Sequence, residues 1–257
     1  MNATQPEIVA ESAIGEAAAR FPALIAVFDR FGLDYCCQGH HSLAEACRHA
    51  GADVRAVLAA ATETPSASPS AADPVSLSLT ELCDEIEKTH HTFVRHAFQR
   101  LGTLLPRVLS AHGAEHPRFV ALDEAVRELR DDMTDHMVRE ERVLFPWLRR
   151  LERREAVHVG PPWSVRRPID CMIHDHDAVA DLIAWIRSIT TDYTPPAGCC
   201  GSVATLMSLL RDLEADTRIH IHKENNILFP RGVLAEVERA RPEPKAQCFG
   251  ACGGTCR

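Results

Sequence analysis

Two stretches decide the fold: "HMVREERVLFP", His136 to Pro146, and "HIHKENNILFP", His220 to Pro230. His136 aligns with His220, Glu140 with Glu224, and both stretches close on Leu-Phe-Pro. Val143 and Ile227 match in kind, as do Arg139 and Lys223. Positions i and i+4 share one helix face about a turn apart. Each stretch therefore sets an imidazole beside a carboxylate, directly before an apolar run. A single HxxxE pair is ordinarily a solvated helix face. Two copies running into the same apolar ending are not, because burying an unpaired carboxylate costs several kcal/mol.

Upstream of each copy lies another histidine-bearing helix, with "THHTF" (His90, His91) before the first and "HDHD" (His174, His176) before the second. From His91 to His136 is 45 positions and from His176 to His220 is 44. The chain thus reads as two similar helical hairpins, each bringing one histidine and one HxxxE pair. Four histidines and two glutamates exceed the four ligands of a zinc site. They suit two six-coordinate irons, and bundle cores are a known setting for such sites. His222 lies about 200° around the helix from His220 and is expected to face elsewhere. His112, His116 and His158 fall at helix ends or in loops and are expected in solvent.

The hairpins extend into four segments. The first runs from Leu79 to Ala111, with Ser78 and Glu81 as a capping box and Gly113 as its stop. The second runs from Pro117 to Arg153, with Pro146 expected to kink or break it. The third runs from Pro168 to Thr191. The fourth runs from Ser202 to Phe229, where Pro230 should bend or end it before a shorter helix to Ala240. Four long helices with fairly short connections predict an antiparallel four-helix bundle over residues 78–240. Before it, "TETPSASPSAADP" (Thr62 to Pro74) marks a flexible linker, placed at 62–77. Residues 1–61 form a small helical unit. There Pro22 opens a helix, Gly32 ends it, "GLDYCCQGHH" is a loop, Ser42 and Glu45 make a capping box, and Asp53 starts a further helix. Residues 241–257 are a Cys/Gly-rich tail holding Cys248, Cys252 and Cys256, expected to be unstructured.

The composition, rich in Ala, Leu, Glu and Arg with 5% aromatics, favours an all-α protein. The net charge of −8 argues against a nucleic-acid or anionic-membrane surface. No apolar run is long enough to span a bilayer. Ten cysteines without a visible secretion signal point to functional thiols in a reducing cytoplasm. Cys36 and Cys37 are adjacent in a loop. They read as a redox or metal-handling pair, open to exchange with a partner thiol, because a bridge between neighbours is strained. Cys199 and Cys200 are a second adjacent pair.

With both HxxxE copies and "GLDYCCQGHHSLAEAC" in view, the chain resembles the iron-sulfur cluster repair di-iron proteins (the ScdA/YtfE/RIC family), which join a small ScdA-type domain to a hemerythrin-like bundle. The resemblance implies a carboxylate-bridged, non-haem site of two iron ions. Its ligands would be His91, His136, Glu140, His176, His220 and Glu224, with the two glutamates bridging. It favours His176 over His174 through the methionine and His-Asp pattern at Met172, His176 and Asp177, and it takes His91 with its neighbour His90 as the open alternative. It also implies a cytoplasmic role in repairing clusters damaged by nitrosative or oxidative stress, through iron donation or nitric oxide handling. Cys36 and Cys37 would then be redox thiols, damaged iron-sulfur proteins the partners, and nitric oxide or dioxygen the small ligands. The electron donor is unnamed, and a homodimer is compatible. The alternative reading is a sensor or reductase of nitric oxide without a repair role.

Overall fold

The computed structural model describes residues 8–64, 74–155 and 164–240. Among them there is no β-strand, only an isolated bridge between Ala13 and Ser42. The small unit contains α1 (Ile14–Arg20), a 3-10 turn (Pro22–Leu24), α2 (Ile25–Arg30), α3 (Leu43–Ala50) and α4 (Val54–Glu63). Pro22 opens the turn, and Gly32 follows α2 in the left-handed region, φ 66°, where a side chain would be strained. Ser42 and Glu45 form both hydrogen bonds of their capping box, and Asp53 caps α4. That helix includes Thr62 and Glu63, the first two residues of the expected linker. Most of the linker and the whole tail lie outside the described residues.

Four long helical runs follow. The first joins α5 (Leu79–Ile86) to α6 (Thr92–His112) through a π-helical turn at Glu87–His91. The second joins α7 (Arg118–Arg139) to α8 (Phe145–Glu152) through Glu140–Leu144. The third is the uninterrupted α9 (Arg166–Ile189). The fourth joins α10 (Gly201–Lys223) to α11 (Phe229–Ala240) through Glu224–Leu228. Helix α6 packs on α10 and α7 on α9, with α8 between α5 and α11. Glu152 accepts the N–H groups of Leu79 and Thr80 at the start of α5. Glu236 accepts from Val165 N–H and the Ser164 hydroxyl at the start of α9. Donors that a helix start leaves without intrahelical partners are thereby satisfied from neighbouring helices.

The helical runs continue through both prolines. Pro146 and Pro230 neither break nor end their helices. Each is the second residue of the helix that restarts after a π turn. Each follows a phenylalanine whose N–H bonds five residues back, to the carbonyl of Glu140 or Glu224, so the missing proline N–H falls where the helix changes from π to α. Single π turns inside α-helices are often found at functional sites. Here two of the three begin at Glu140 and Glu224, and the third ends at His91. The first run does end at Gly113, but with the glycine at φ −62°, so no left-handed cap is involved.

Apolar residues fill the bundle in two bodies. One includes Val94, Leu101, Leu129, Ile183 and Leu206, together with the core of the small unit. The other includes Leu82, Ile86, Leu144, Phe145, Leu148, Ile169, Leu228 and Phe229. Between them lies a buried polar layer.

Candidate metal centre

Six side chains make that layer: His91, His136, Glu140, His176, His220 and Glu224, each no more than 1% exposed. They form two donor groups, one of His91, Glu140, His220 and Glu224, the other of His136, Glu140, His176 and Glu224. Both glutamates belong to both groups. Glu140 places one oxygen 3.3 Å from His136 Nε2 and the other 3.3 Å from His91 Nε2. Glu224 likewise reaches His220 Nε2 at 3.0 Å and His176 Nε2 at 3.1 Å with separate oxygens. Each group draws one histidine from each hairpin. The repeated phenylalanines lie against the hairpin histidines, Phe145 stacked on His91 (5.8 Å) and Phe229 on His176 (6.0 Å).

The arrangement fits a cation at each group. His91 and His220 point their Nε2 atoms at each other across 3.2 Å, and His136 and His176 do so across 3.1 Å. Three of the four rings have Nδ1 beside an acceptor: His91 on Glu141 (2.7 Å), His136 on Asp175 (3.4 Å) and His176 on Asn225 (2.9 Å). With Nδ1–H donated outward, each neutral ring presents a lone pair on Nε2 to the interior. Facing lone pairs repel unless a cation or proton stands between them. Both oxygens of Glu140 and one of Glu224 are buried without a hydrogen-bond partner, as is His220 Nδ1. The metal-free electrostatics agree. Burial opposes ionisation of His136, yet Glu140 and Asp175 raise its pKa to about 10. Burial likewise opposes the charge on Glu224, but His220 and His176 hold its carboxyl well below the usual range. At His220 burial wins, and its pKa is lowered. The layer is thus a pair of carboxylates whose charge calls for cations.

The neighbouring histidines fall elsewhere. His90 is buried outside both groups, held by Asp216 (2.9 Å) and Lys223 (2.8 Å). His174 is exposed. His222 does face away from the two groups, but into protein, with its ring edge-on to Tyr35 at 5.4 Å. His112 and His116 are partly covered, contrary to expectation, and His158 lies outside the described residues. His112 Nε2 sits 3.1 Å from Cys200 Sγ. That contact and the backbone N–H groups opening α10 lower the Cys200 pKa to about 7, so the thiolate form is held above pH 7 and lost as pH falls through it. Cys200 should therefore alkylate with iodoacetamide about threefold faster at pH 7 than exposed Cys171, its larger thiolate fraction partly offset by the lower nucleophilicity of a low-pKa thiolate. His112→Ala should move the pH midpoint of that alkylation up toward the ordinary thiol value of ~8.5, as read by mass spectrometry. No helical pattern could bring this pair together, since its partners stand 88 positions apart.

Cys36 and Cys37 lie where the small unit meets the bundle. Cys36 Sγ donates to Asp34 Oδ1 at 3.2 Å and is 3.9 Å from Cys37 Sγ. The bond to Cys37 and burial push the Cys36 thiol well up, so it stays protonated. Asp34, Cys36 and Cys37 form a third candidate donor group, half-buried, which the spacing alone did not reveal. The loop rests on the second HxxxE stretch. Asn226 donates to the carbonyls of Tyr35 and Cys36, both at 3.1 Å, and Asn225 donates to Cys36 O at 3.3 Å. Arg218 donates to Leu33 O at 2.9 Å and lies over the Tyr35 ring. Gly15 and Gly39 make this approach possible. A Cβ at either would stand 2.2 or 2.0 Å from Asn226 Oδ1.

A helical bundle with a buried layer of four histidines and two shared glutamates is a cation-binding protein of the hemerythrin type. Residues 83–232 match the Hemerythrin HHE cation binding domain, and the chain belongs to that family. Residues 10–64 match the ScdA_N family, described as a domain of unknown function (DUF542). The whole arrangement is similar to the iron-sulfur cluster repair protein ScdA of Staphylococcus haemolyticus. The two are 29% identical over 222 residues, covering 86% of this chain and 98% of the relative. It is equally similar to the iron-sulfur cluster repair protein YtfE of Musicola paradisiaca, 29% identical over 226 residues, covering 88% and 98%. No helix among the described residues is long and apolar enough to cross a membrane.

Proposed function

We infer that this protein holds two iron ions in the buried layer and takes part in the repair of damaged iron-sulfur clusters. One observation carries the reading: two donor groups share Glu140 and Glu224, each offering one oxygen to each group. His91 and His220 would hold one ion and His136 and His176 the other, with the glutamates bridging. Iron bound there supplies a change of oxidation state and open positions for a small ligand such as nitric oxide or dioxygen. The protein's own part is to hold four neutral imidazoles with Nε2 inward, to keep both carboxylates ionised, and to exclude bulk water. The relatives are named as repair proteins, which favours repair over simple ligand sensing. Cys36 and Cys37 are the proposed redox thiols, on a loop that Asn225 and Asn226 hold against the bundle. Damaged iron-sulfur proteins are the proposed clients. All seven cysteines among the described residues are free thiols, which suits a cytoplasmic protein.

The test is elemental analysis of protein from iron-replete cells, with an anaerobic absorption spectrum before and after nitric oxide. Close to two irons per chain and a spectrum that changes with nitric oxide are expected. One zinc with little iron would refute the reading.

A further inference from the structure

The two hairpins repeat one device with a single change. In the first, the residue after the bridging glutamate is Glu141, whose carboxylate holds His91 Nδ1 and is itself held by Arg95 at 2.6 Å. In the second, the corresponding residue is Asn225, which holds His176 Nδ1 through Oδ1. A carboxylate has acceptors at both ends, whereas an amide has an acceptor at one end and a donor at the other. Asn225 uses the donor end on the carbonyl of Cys36, at 3.3 Å. His176 is the only one of the four histidines whose outer hydrogen bond leads, among the described residues, into the thiol loop.

We propose that Asn225 is a positioning residue that ties the Cys36–Cys37 loop to the His136/His176 position, and not to the His91/His220 position. The inference rests on the two-metal reading. When His176 Nε2 is committed to a metal, its proton must sit on Nδ1. Asn225 must then turn Oδ1 toward the ring and Nδ2 toward Cys36 O, which closes the loop. Without metal nothing holds the His176 ring from the inner side, and an amide whose ring partner is free to turn holds the Cys36 carbonyl less firmly, which loosens the loop. Coupling of this kind is reciprocal. A client that draws the thiol loop away weakens the hold on His176 and releases iron from one position ahead of the other. The device thus links engagement of the thiols to delivery of a single iron.

The experiment uses the full chain loaded anaerobically with ferrous iron. Two readings are taken: iron release into a ferrous chelator, and alkylation of Cys36 and Cys37 by iodoacetamide with and without iron. Wild type should release its irons in two phases, and loading should slow alkylation of Cys36. Asn225→Leu should speed one phase by about 10- to 100-fold, the loss typical of an outer-shell partner, and leave the other within about twofold. Its Cys36 alkylation should no longer depend on iron. Asn225→Asp, which keeps an acceptor for His176 but no donor for Cys36, should retain slow release while losing the protection of Cys36. The far-ultraviolet helix signal and the alkylation rate of Cys200 report that each variant is folded. Equal acceleration of both phases, or no acceleration of either, overturns the tie while leaving two bound irons intact. So does iron-dependent protection that survives in Asn225→Leu. A wild-type chain that takes up one iron or none overturns both the tie and the two-metal reading.

Discussion

Glu140→Gln and Glu224→Gln are each expected to empty both metal positions, not one. Each glutamate gives separate oxygens to histidines of both groups. Glutamine fills the same volume but brings one oxygen, no charge, and an N–H₂ that faces an imidazole Nε2 lone pair. Loss of one outer partner of a metal ligand already costs about 10- to 100-fold in affinity. Loss of a shared charged ligand should cost at least that at each position. Iron per chain should therefore fall from near two to well below one in either variant, as measured by elemental analysis after chelator challenge. His222→Ala is the control, because that ring packs on Tyr35 outside both groups and its loss should leave the iron in place. A glutamine variant that still carries one tightly held iron would show that the carboxylate serves a single position.

Replacing both Cys36 and Cys37 by alanine should separate the thiols from the metal layer. Neither sulfur belongs to the two groups that share the glutamates. The loop is held largely through backbone carbonyls, which the substitutions keep. Iron content and spectrum should stay as in wild type, while recovery of a nitric-oxide-damaged iron-sulfur enzyme in cells falls to near that of cells lacking the protein. Both are measured on the same variant. Loss of iron would make the thiols structural, and full recovery would remove them from the repair reaction.

Much of this protein is legible in one dimension because its chemistry repeats at helical spacing. The i,i+4 pairs, the matching Leu-Phe-Pro endings and the near-equal distances back to His91 and His176 follow from local geometry. Local geometry does not depend on how the helices meet. The capping boxes at Ser42 and Ser78 are equally local, and both form. The α-helix rule makes Pro146 a kink or a break and Pro230 a bend or an end, but both stand just after a π turn, where the helix runs on. The extra residue of such a turn leaves no mark in the hydrophobic pattern.

The sequence by itself determined the four-helix bundle, its two hairpins, the small cysteine-bearing unit and the histidines and glutamates from which the buried layer is drawn. Only the tertiary structure decided how those residues divide. His90 and His91 are adjacent, so no sequence spacing separates them, yet His90 meets Asp216 and His91 meets the glutamates. The same holds for the loss of symmetry between the repeats. Val143 is 52% exposed while its counterpart Ile227 is 4% exposed, in the same apolar body as Ala19 of the small unit. The two stretches share the histidine, the glutamate and the Leu-Phe-Pro ending that face the metal layer and the core. What lies against the outer face of each depends on where a separate part of the chain docks. Here it docks on the second stretch, through His222, Asn225 and Asn226, and on Arg218 just before it, contacts made across about 190 positions that no local pattern encodes.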